Sequence, residues 1–232
     1  MTELTIKVVA SYLLGSVIGS LWVGRLYGGV DIRKLGSGNA GATNALRARG
    51  KTFAFLVLLI DIAKGWLATL VVARLSIAGV APSSAALEDW AASACAIAVI
   101  VGHVYPLWHG FRGGKGVATL VGVVVGLDPT LLFPVLVTWV LSVMLFGYVG
   151  LASMIATLSV PVAAAVGFGM ANSPGPDGQT APFSAGPNLP LLVFGVAAAA
   201  MIVFTHRTNI ARMRAGTEPR ARKLWLFRGK RT

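Results

Sequence analysis

Charge is scarce in this sequence, and negative charge is scarcer. Only 12% of the 232 residues are charged, with eight acidic side chains against 20 lysines and arginines. Ordinary soluble chains carry about 25% charged residues, so a water-soluble domain is a poor first reading. Cysteine is nearly missing as well. Cys95 stands alone in an apolar run, which leaves no disulfide framework, no thiol pair and no zinc spacing.

Apolar length takes their place. Hydrophobic residues make up 56% of the chain, and the mean hydropathy is +0.76. Seven apolar segments stand out, near residues 4–24, 53–73, 90–107, 116–127, 131–147, 151–170 and 190–205. A helix crosses a bilayer with about 20 apolar residues, in a range of about 17–25. The fourth segment, VATLVGVVVGL, is shorter, and is expected to borrow flanking residues or to dip into a local thinning. The first has Glu3 and Lys7 at its start and no clear cleavage site, so it is read as a retained span. The expected fold is all-α, an integral membrane protein with seven transmembrane helices.

Basic residues set the orientation. Loop 25–51 carries six, loop 102–115 two and the tail 206–232 nine, which is 17 of the 20. With seven spans these segments share one side, the cytoplasm, so the N-terminus is expected outside and the C-terminus inside. The stretch 172–190, rich in Pro, Gly and Ser, reads as an external turn-rich loop without chemistry. A net charge of +12 on such a protein points to topology, anionic lipid or anionic substrates rather than nucleic acid.

Gly36-Ser37-Gly38-Asn39-Ala40-Gly41 has the G-x-G-x-x-G spacing of a dinucleotide-binding turn. That motif requires a preceding strand and a βαβ unit. Residues 25–35 read as a charged loop, so a nicotinamide site is not expected. Gly110-x-x-x-Gly114-Lys115-Gly116 imitates a Walker loop but lacks a spacer residue and the hydroxyl after the lysine.

Three segments on the basic face combine small, amide or hydroxyl residues with positive charge: GSGNAGATNALRARGK (36–51), GHVYPLWHGFRGGKGVAT (102–119) and HRTNIARMRAGTE (206–218). Glycines let backbone N–H groups approach an anion, helix N-termini add positive potential, and Lys and Arg form charge-assisted bonds to phosphate. Together they point to a site for phosphorylated molecules. Topology alone accounts for Arg25, Arg33, Lys34, Arg220, Arg222, Lys223, Arg228, Lys230 and Arg231, but not for the Asn, Ser, Thr and His residues. His103 and His206 each close a span at this face; His109 reads as incidental. Asp61 and Lys64, one turn apart inside the second span, read first as a mutually satisfied ion pair. Ser153, alone near the start of the sixth span, reads first as a packing residue. A channel or carrier for organic phosphates is the competing class, although carriers usually bind near the bilayer midplane. A purely structural subunit leaves the three motifs without a reason.

These three segments resemble, in order and spacing, the signature motifs of the bacterial acyl-phosphate-dependent glycerol-3-phosphate acyltransferases. DIAKG (61–65) and YVGLASM (148–154) are also similar to that family's. Gly150 departs from it, standing where the family often has serine, so any hydroxyl role there is lost. The sequence lacks the His-x-x-x-x-Asp motif of an unrelated acyltransferase group. The resemblance implies one membrane-embedded acyltransferase domain over 1–232, in the bacterial inner membrane with its site facing the cytoplasm. It would move an acyl group from acyl phosphate to the 1-hydroxyl of sn-glycerol 3-phosphate, giving lysophosphatidic acid and phosphate. Its partners would be those two substrates and membrane lipid, without nucleic acid, and the chain is expected to be a monomer. No cofactor is implied: a mixed anhydride is already activated and needs neither a cysteine nucleophile nor a metal.

Carried over motif by motif, Gly113, Gly114, Lys115, Gly116 and Val117 would hold the acyl phosphate. Gly36, Ser37, Gly38, Asn39, Gly41, Thr43, Asn44 and Arg47 would line the adjoining pocket, and His103 would contact substrate. Ser153, His206 and Asn209 would place glycerol 3-phosphate, and Glu218 would tie down the tail. Ser37, Arg47, Lys115, His206 and Asn209 would act most directly in catalysis. His206 is one candidate base. A substrate phosphate, with a pKa near about 6, is the other, and the resemblance favours it.

Overall fold

Every regular element among the described residues, 1–81, 84–167 and 188–227, is helical. This is a computed structural model. Three helical runs are long and apolar enough to cross a membrane: 42–74, 90–109 and 129–146. Two bent helix pairs raise that number to five if each pair is one span, and two shorter apolar helices remain. The external loop expected over 172–190 lies almost entirely outside the described residues.

The chain divides into two units, Met1–Leu127 and Asp128–Thr232. In the first, α1 (Thr2–Gly15) and α2 (Gly19–Leu26) meet at a 46° bend. Hydropathy had merged them into one segment. Helix α3 (Ala42–Trp66) is kinked at Gly50, and continues through a π turn, Leu67–Val71, and a 3-10 turn, Val72–Arg74. The loop expected to run to residue 51 therefore ends in helix from Ala42. Helices α4 (Ala85–Val104) and α5 (Val117–Leu127) complete the unit.

Small residues let these helices touch through their backbones, as suits association in lipid. A Cβ on Gly15 would strike the Val99 carbonyl of α4, and one on Gly122 would strike the Ile62 carbonyl of α3. Beneath the basic loops lies an apolar cluster of Ile18, Leu21, Val23, Ile32, Ala40, Ala45, Phe53, Ala54 and Val57. The end of α4 is tied to α1 by polar bonds. Tyr12 Oη donates to the Tyr105 carbonyl (2.9 Å), and Ser16 Oγ accepts from Leu107 N–H (3.2 Å).

The second unit packs α7 (Val149–Ala165) against α6 (Leu132–Phe146) and α8 (Leu189–Thr205), with α9 (Arg207–Arg214) bent 52° from α8. Helix α6 stops at Gly147, φ 77°, and such an end leaves its last carbonyls without intrahelical partners. The tail supplies donors: Leu226 N–H to Met144 (3.0 Å), Trp225 Nε1–H to Leu145 (3.2 Å) and Ala221 N–H to Gly147 (2.7 Å). Arg220 stacks over Tyr148 and Trp225, 4.8 and 4.0 Å from the ring centroids. Its charge, attributed to topology alone from the sequence, also anchors the tail.

Candidate functional site

The loop 36–44 is organised by Asn44. Its buried amide donates to the carbonyls of Ile32 (3.1 Å), Leu35 (2.9 Å) and Asn39 (3.0 Å), and its Oδ1 accepts from Ser37 N–H (2.9 Å). One side chain thus fixes four backbone groups, from the 3-10 turn Ile32–Lys34 to Asn39. Gly36 belongs to the same device: its φ is 55°, and a Cβ there would fall on Asn44 Oδ1. Asn44, expected to line a pocket, spends its amide on the loop itself. Around this frame Ser37, Gly38, Thr43 and Arg47 are exposed, and Asn39 and Gly41 half-buried.

Arg33 joins this loop to the next motif. Its Nη1 donates to the carbonyls of His109 and Arg112, both at 3.0 Å, while Nε and Nη2 bind Asp31. The hydrogen bond from Arg33 holds the Asp31 carboxyl below its ordinary range, and Asp31 raises the guanidinium. The sequence reading assigned Arg33 to topology alone and missed this clamp. The D-x-R spacing was its only signal, since an Asp at the start of a 3-10 turn accepts the N–H two residues on.

Two glycines of GGKG, expected to hold the acyl phosphate, spend their N–H groups inside the protein. Gly113 and Gly114 donate theirs to the carbonyls of Val104 and His103, both at 3.1 Å. Both lack room for a side chain: a Cβ on Gly113 would strike the His103 carbonyl, and one on Gly114 the His103 ring. This pinning turns the chain so that half-buried Lys115 and then Gly116 (φ 86°) lead into Val117, the first residue of α5. The N–H groups of that first helical turn have no intrahelical partners.

Below lies a buried charge cluster. Lys64 Nζ is 3.0 Å from Asp61 Oδ1 and 2.7 Å from His103 Nδ1. It also donates to the carbonyls of Gly15 (3.0 Å) and Val17 (2.7 Å), while Asp61 Oδ1 accepts from Gly19 N–H (3.2 Å). The ammonium therefore meets the C-terminus of α1, and the carboxylate the N-terminus of α2. Those are the signs that the two helix dipoles favour, so the pair caps both ends of the break.

In the second unit His206 closes α8. Its Nδ1 lies 2.7 Å from the Ile202 carbonyl. A carbonyl only accepts, so Nδ1 carries a proton and Nε2 of the neutral ring is the acceptor. Asn209 donates from Nδ2 to Glu218 Oε1 (2.6 Å), and Arg212 from Nε to Oε2 (2.7 Å). Glu218 thus ties the tail to α9, with Arg212 as a partner the sequence reading had not named. Gly150 makes room for this: a Cβ there would come within 2.9 Å of Asn209 Nδ2. Ser153 donates to the Val149 carbonyl (2.9 Å) and accepts from Trp139 Nε1 (3.3 Å), the geometry of a packing residue.

The profile of the family described as "Glycerol-3-phosphate acyltransferase" matches residues 5–216. A glycerol-3-phosphate acyltransferase of Synechococcus sp. (strain JA-2-3B'a(2-13)) is 36% identical over 225 residues, 97% of this chain and 98% of that protein. One from Thiobacillus denitrificans (strain ATCC 25259 / T1) is 38% identical over 216 residues, 93% of this chain and 96% of its own. Among solved structures, PlsY (YgiH), an integral membrane glycerol 3-phosphate acyltransferase, matches in its glycerol 3-phosphate form with a TM-score of 0.74. It is 32% identical over 94% of each chain. A lysophosphatidic acid form matches with the same TM-score, at 30% identity over 97% of this chain and 99% of that one. This chain belongs to the glycerol-3-phosphate acyltransferase family, as an all-helical membrane protein among its described residues.

Proposed function

We propose that this protein transfers a fatty acyl group from acyl phosphate to the 1-hydroxyl of sn-glycerol 3-phosphate, at the cytoplasmic face of a bacterial inner membrane. The single observation that supports the donor assignment is the pinned Gly113–Gly114 turn, which leads the chain through Lys115 into the start of α5, where we place the anion site. The family membership and the glycerol 3-phosphate and lysophosphatidic acid forms of PlsY support the acceptor and the product.

The substrate hydroxyl attacks the acyl carbonyl carbon, the bond to the phosphate oxygen breaks, and inorganic phosphate leaves. Lys115 offsets the phosphate charge, and Ser37, Thr43 and Arg47 offer donors beside it. His206 accepts the acceptor hydroxyl's hydrogen bond at Nε2, and Asn209, braced by Glu218, helps place glycerol 3-phosphate. The proton passes to a substrate phosphate oxygen, with His206 orienting the hydroxyl. Orientation and stabilisation of the oxyanion then supply most of the rate.

The topology that suits this reading has seven spans, an outside N-terminus and a cytoplasmic C-terminus, with both units in one acyltransferase domain. In a Cys95→Ser background, Arg49→Cys should be labelled from the cytoplasm and Ser76→Cys from outside. Labelling of both from one side contradicts this topology. For the donor, purified protein in detergent should turn over palmitoyl phosphate and be nearly inert with palmitoyl-CoA or palmitoyl acyl carrier protein. Comparable turnover with a thioester overturns the donor assignment. A carrier would give no product without a sealed membrane.

A further inference from the structure

We propose that the first unit carries a binding site for the headgroup of a zwitterionic phospholipid, an ammonium joined to a phosphate. It lies at the ends of α1, α4 and the run from α3 that are remote from the first two motifs. The site takes no part in the reaction above, and neither substrate enters its test.

A cavity of about 480 Å³ opens there, between Glu3 and Lys7 of α1, Arg74 at the end of the run from α3, and Glu88 of α4. Clefts that hold small ligands measure about 300–1,000 Å³. Glu88 and His103 stand roughly 22 Å apart along α4, at about 1.5 Å per residue, so the cavity and the motif residue His103 occupy opposite ends of that helix. One membrane-length run ends at Arg74 and another begins at Trp90, which sets the cavity at a membrane boundary. With the orientation proposed above, that boundary is the outer leaflet.

The lining charges give the ligand class. Two carboxylates and two cations face one space, so a headgroup of a single sign meets attraction and repulsion together, whereas a zwitterion satisfies both. Glu3 and Lys7 are 4% and 6% exposed, and charges so deeply placed need polar partners. An ammonium donates three hydrogen bonds. Among the described residues Lys7 Nζ has one ion-pair contact, Glu3 Oε1 at 3.2 Å, and the cavity beside it is where a phosphate oxygen can accept another. Arg74 and Glu88 stand exposed at the same cavity and form no ion pair among the described residues. Lys7 and Arg74 therefore take the phosphate, and Glu88 takes the ammonium. Leu75 of the lining, with Ile6 and Val9 on α1, is exposed, so apolar surface for acyl chains adjoins the polar cavity. That surface favours a lipid over a soluble zwitterion, which would leave it uncovered.

Native mass spectrometry of the purified full chain in detergent, with lipids added, tests this. Dioleoyl phosphatidylethanolamine should be retained as one equivalent, about tenfold more tightly than dioleoyl phosphatidylglycerol, which lacks the ammonium. Free phosphoethanolamine at the same concentration should not displace it. Arg74→Gln with Glu88→Gln, both on exposed side chains, should weaken retention of the amine lipid about three- to tenfold. Glu3→Gln with Lys7→Met, which strands no buried charge, should weaken it about ten- to a hundredfold. Equal retention of the two lipids, or retention unchanged in the variants, overturns the proposal. Displacement by free phosphoethanolamine overturns it too, because the occupant is then a solute. If the buried double variant does not fold, the exposed one decides in the same way.

Discussion

Each of the two units holds a carboxylate–cation pair beside a motif residue, but at different depths. In the first, the Asp61 and Lys64 side chains are 1% and 2% exposed, and the pair caps both sides of a helix break while Lys64 holds His103. In the second, Glu218 links Asn209 to Arg212, whose side chain is 33% exposed. The deep pair replaces lost hydration with backbone dipoles and each other, so removing either member strands a buried charge. The shallow cluster keeps water near its cation and should tolerate loss better.

Breaking the deep pair should give the largest effect. Lys64→Met should lower unfolding stability by about 3–5 kcal/mol, measured by denaturant titration in detergent. Asp61→Leu with Lys64→Met should recover much of that loss, because no orphan charge remains. Equal losses in the single and double variants would show that the two residues act independently.

Next come the pinned glycine and its neighbour. Lys115→Ala removes a charge-assisted contact of about 1.5–3 kcal/mol, or roughly ten- to a hundredfold in kcat/KM. Gly114→Ala should lose at least as much, because its Cβ would meet His103. Initial rates over a range of palmitoyl phosphate check both, and unchanged kinetics in either displaces the anion site.

The shallow cluster and its helix should show a smaller, acceptor-side effect. Glu218→Gln keeps the shape but loses the carboxylate, and should raise KM for glycerol 3-phosphate by roughly tenfold at about 1.4 kcal/mol. His206→Asn should keep measurable turnover, with a raised KM for the same substrate. Complete inactivity of a folded His206→Asn would make the imidazole the obligatory base, and a purely capping role would leave rates unchanged.

The smallest effect belongs to Asp31. Its folded pKa is lowered by Arg33, so its stabilisation is fully present above the unfolded carboxylate pKa of about 3.9. That stabilisation disappears as pH falls through the lower folded value. The pair is about a quarter exposed, so Asp31→Asn should cost less than about 1 kcal/mol at neutral pH. The gap to wild type should narrow on acidification below about pH 4, read from unfolding curves at several pH values.

Much of this was legible in the sequence because long signals have few causes. Apolar runs of span length allow little but membrane helices, and three motifs in order identify a family. What escaped depends on contacts distant in sequence. The break at residues 16–18 is held by Lys64, 47 residues away from Val17, so hydropathy could not separate α1 from α2. The use of Asn44 as a loop organiser, and the pinning of Gly113 and Gly114 on α4, likewise appear only when carbonyls have positions. Arg33 and Arg220 were taken as bulk charge because composition counts a guanidinium without showing what it touches.

The most direct test of the central claim is the stoichiometry of a single reaction mixture. Purified wild-type protein with palmitoyl phosphate and glycerol 3-phosphate should release one inorganic phosphate for each lysophosphatidic acid formed. Phosphate release without acylated product, or product formed only from a thioester donor, would contradict the account.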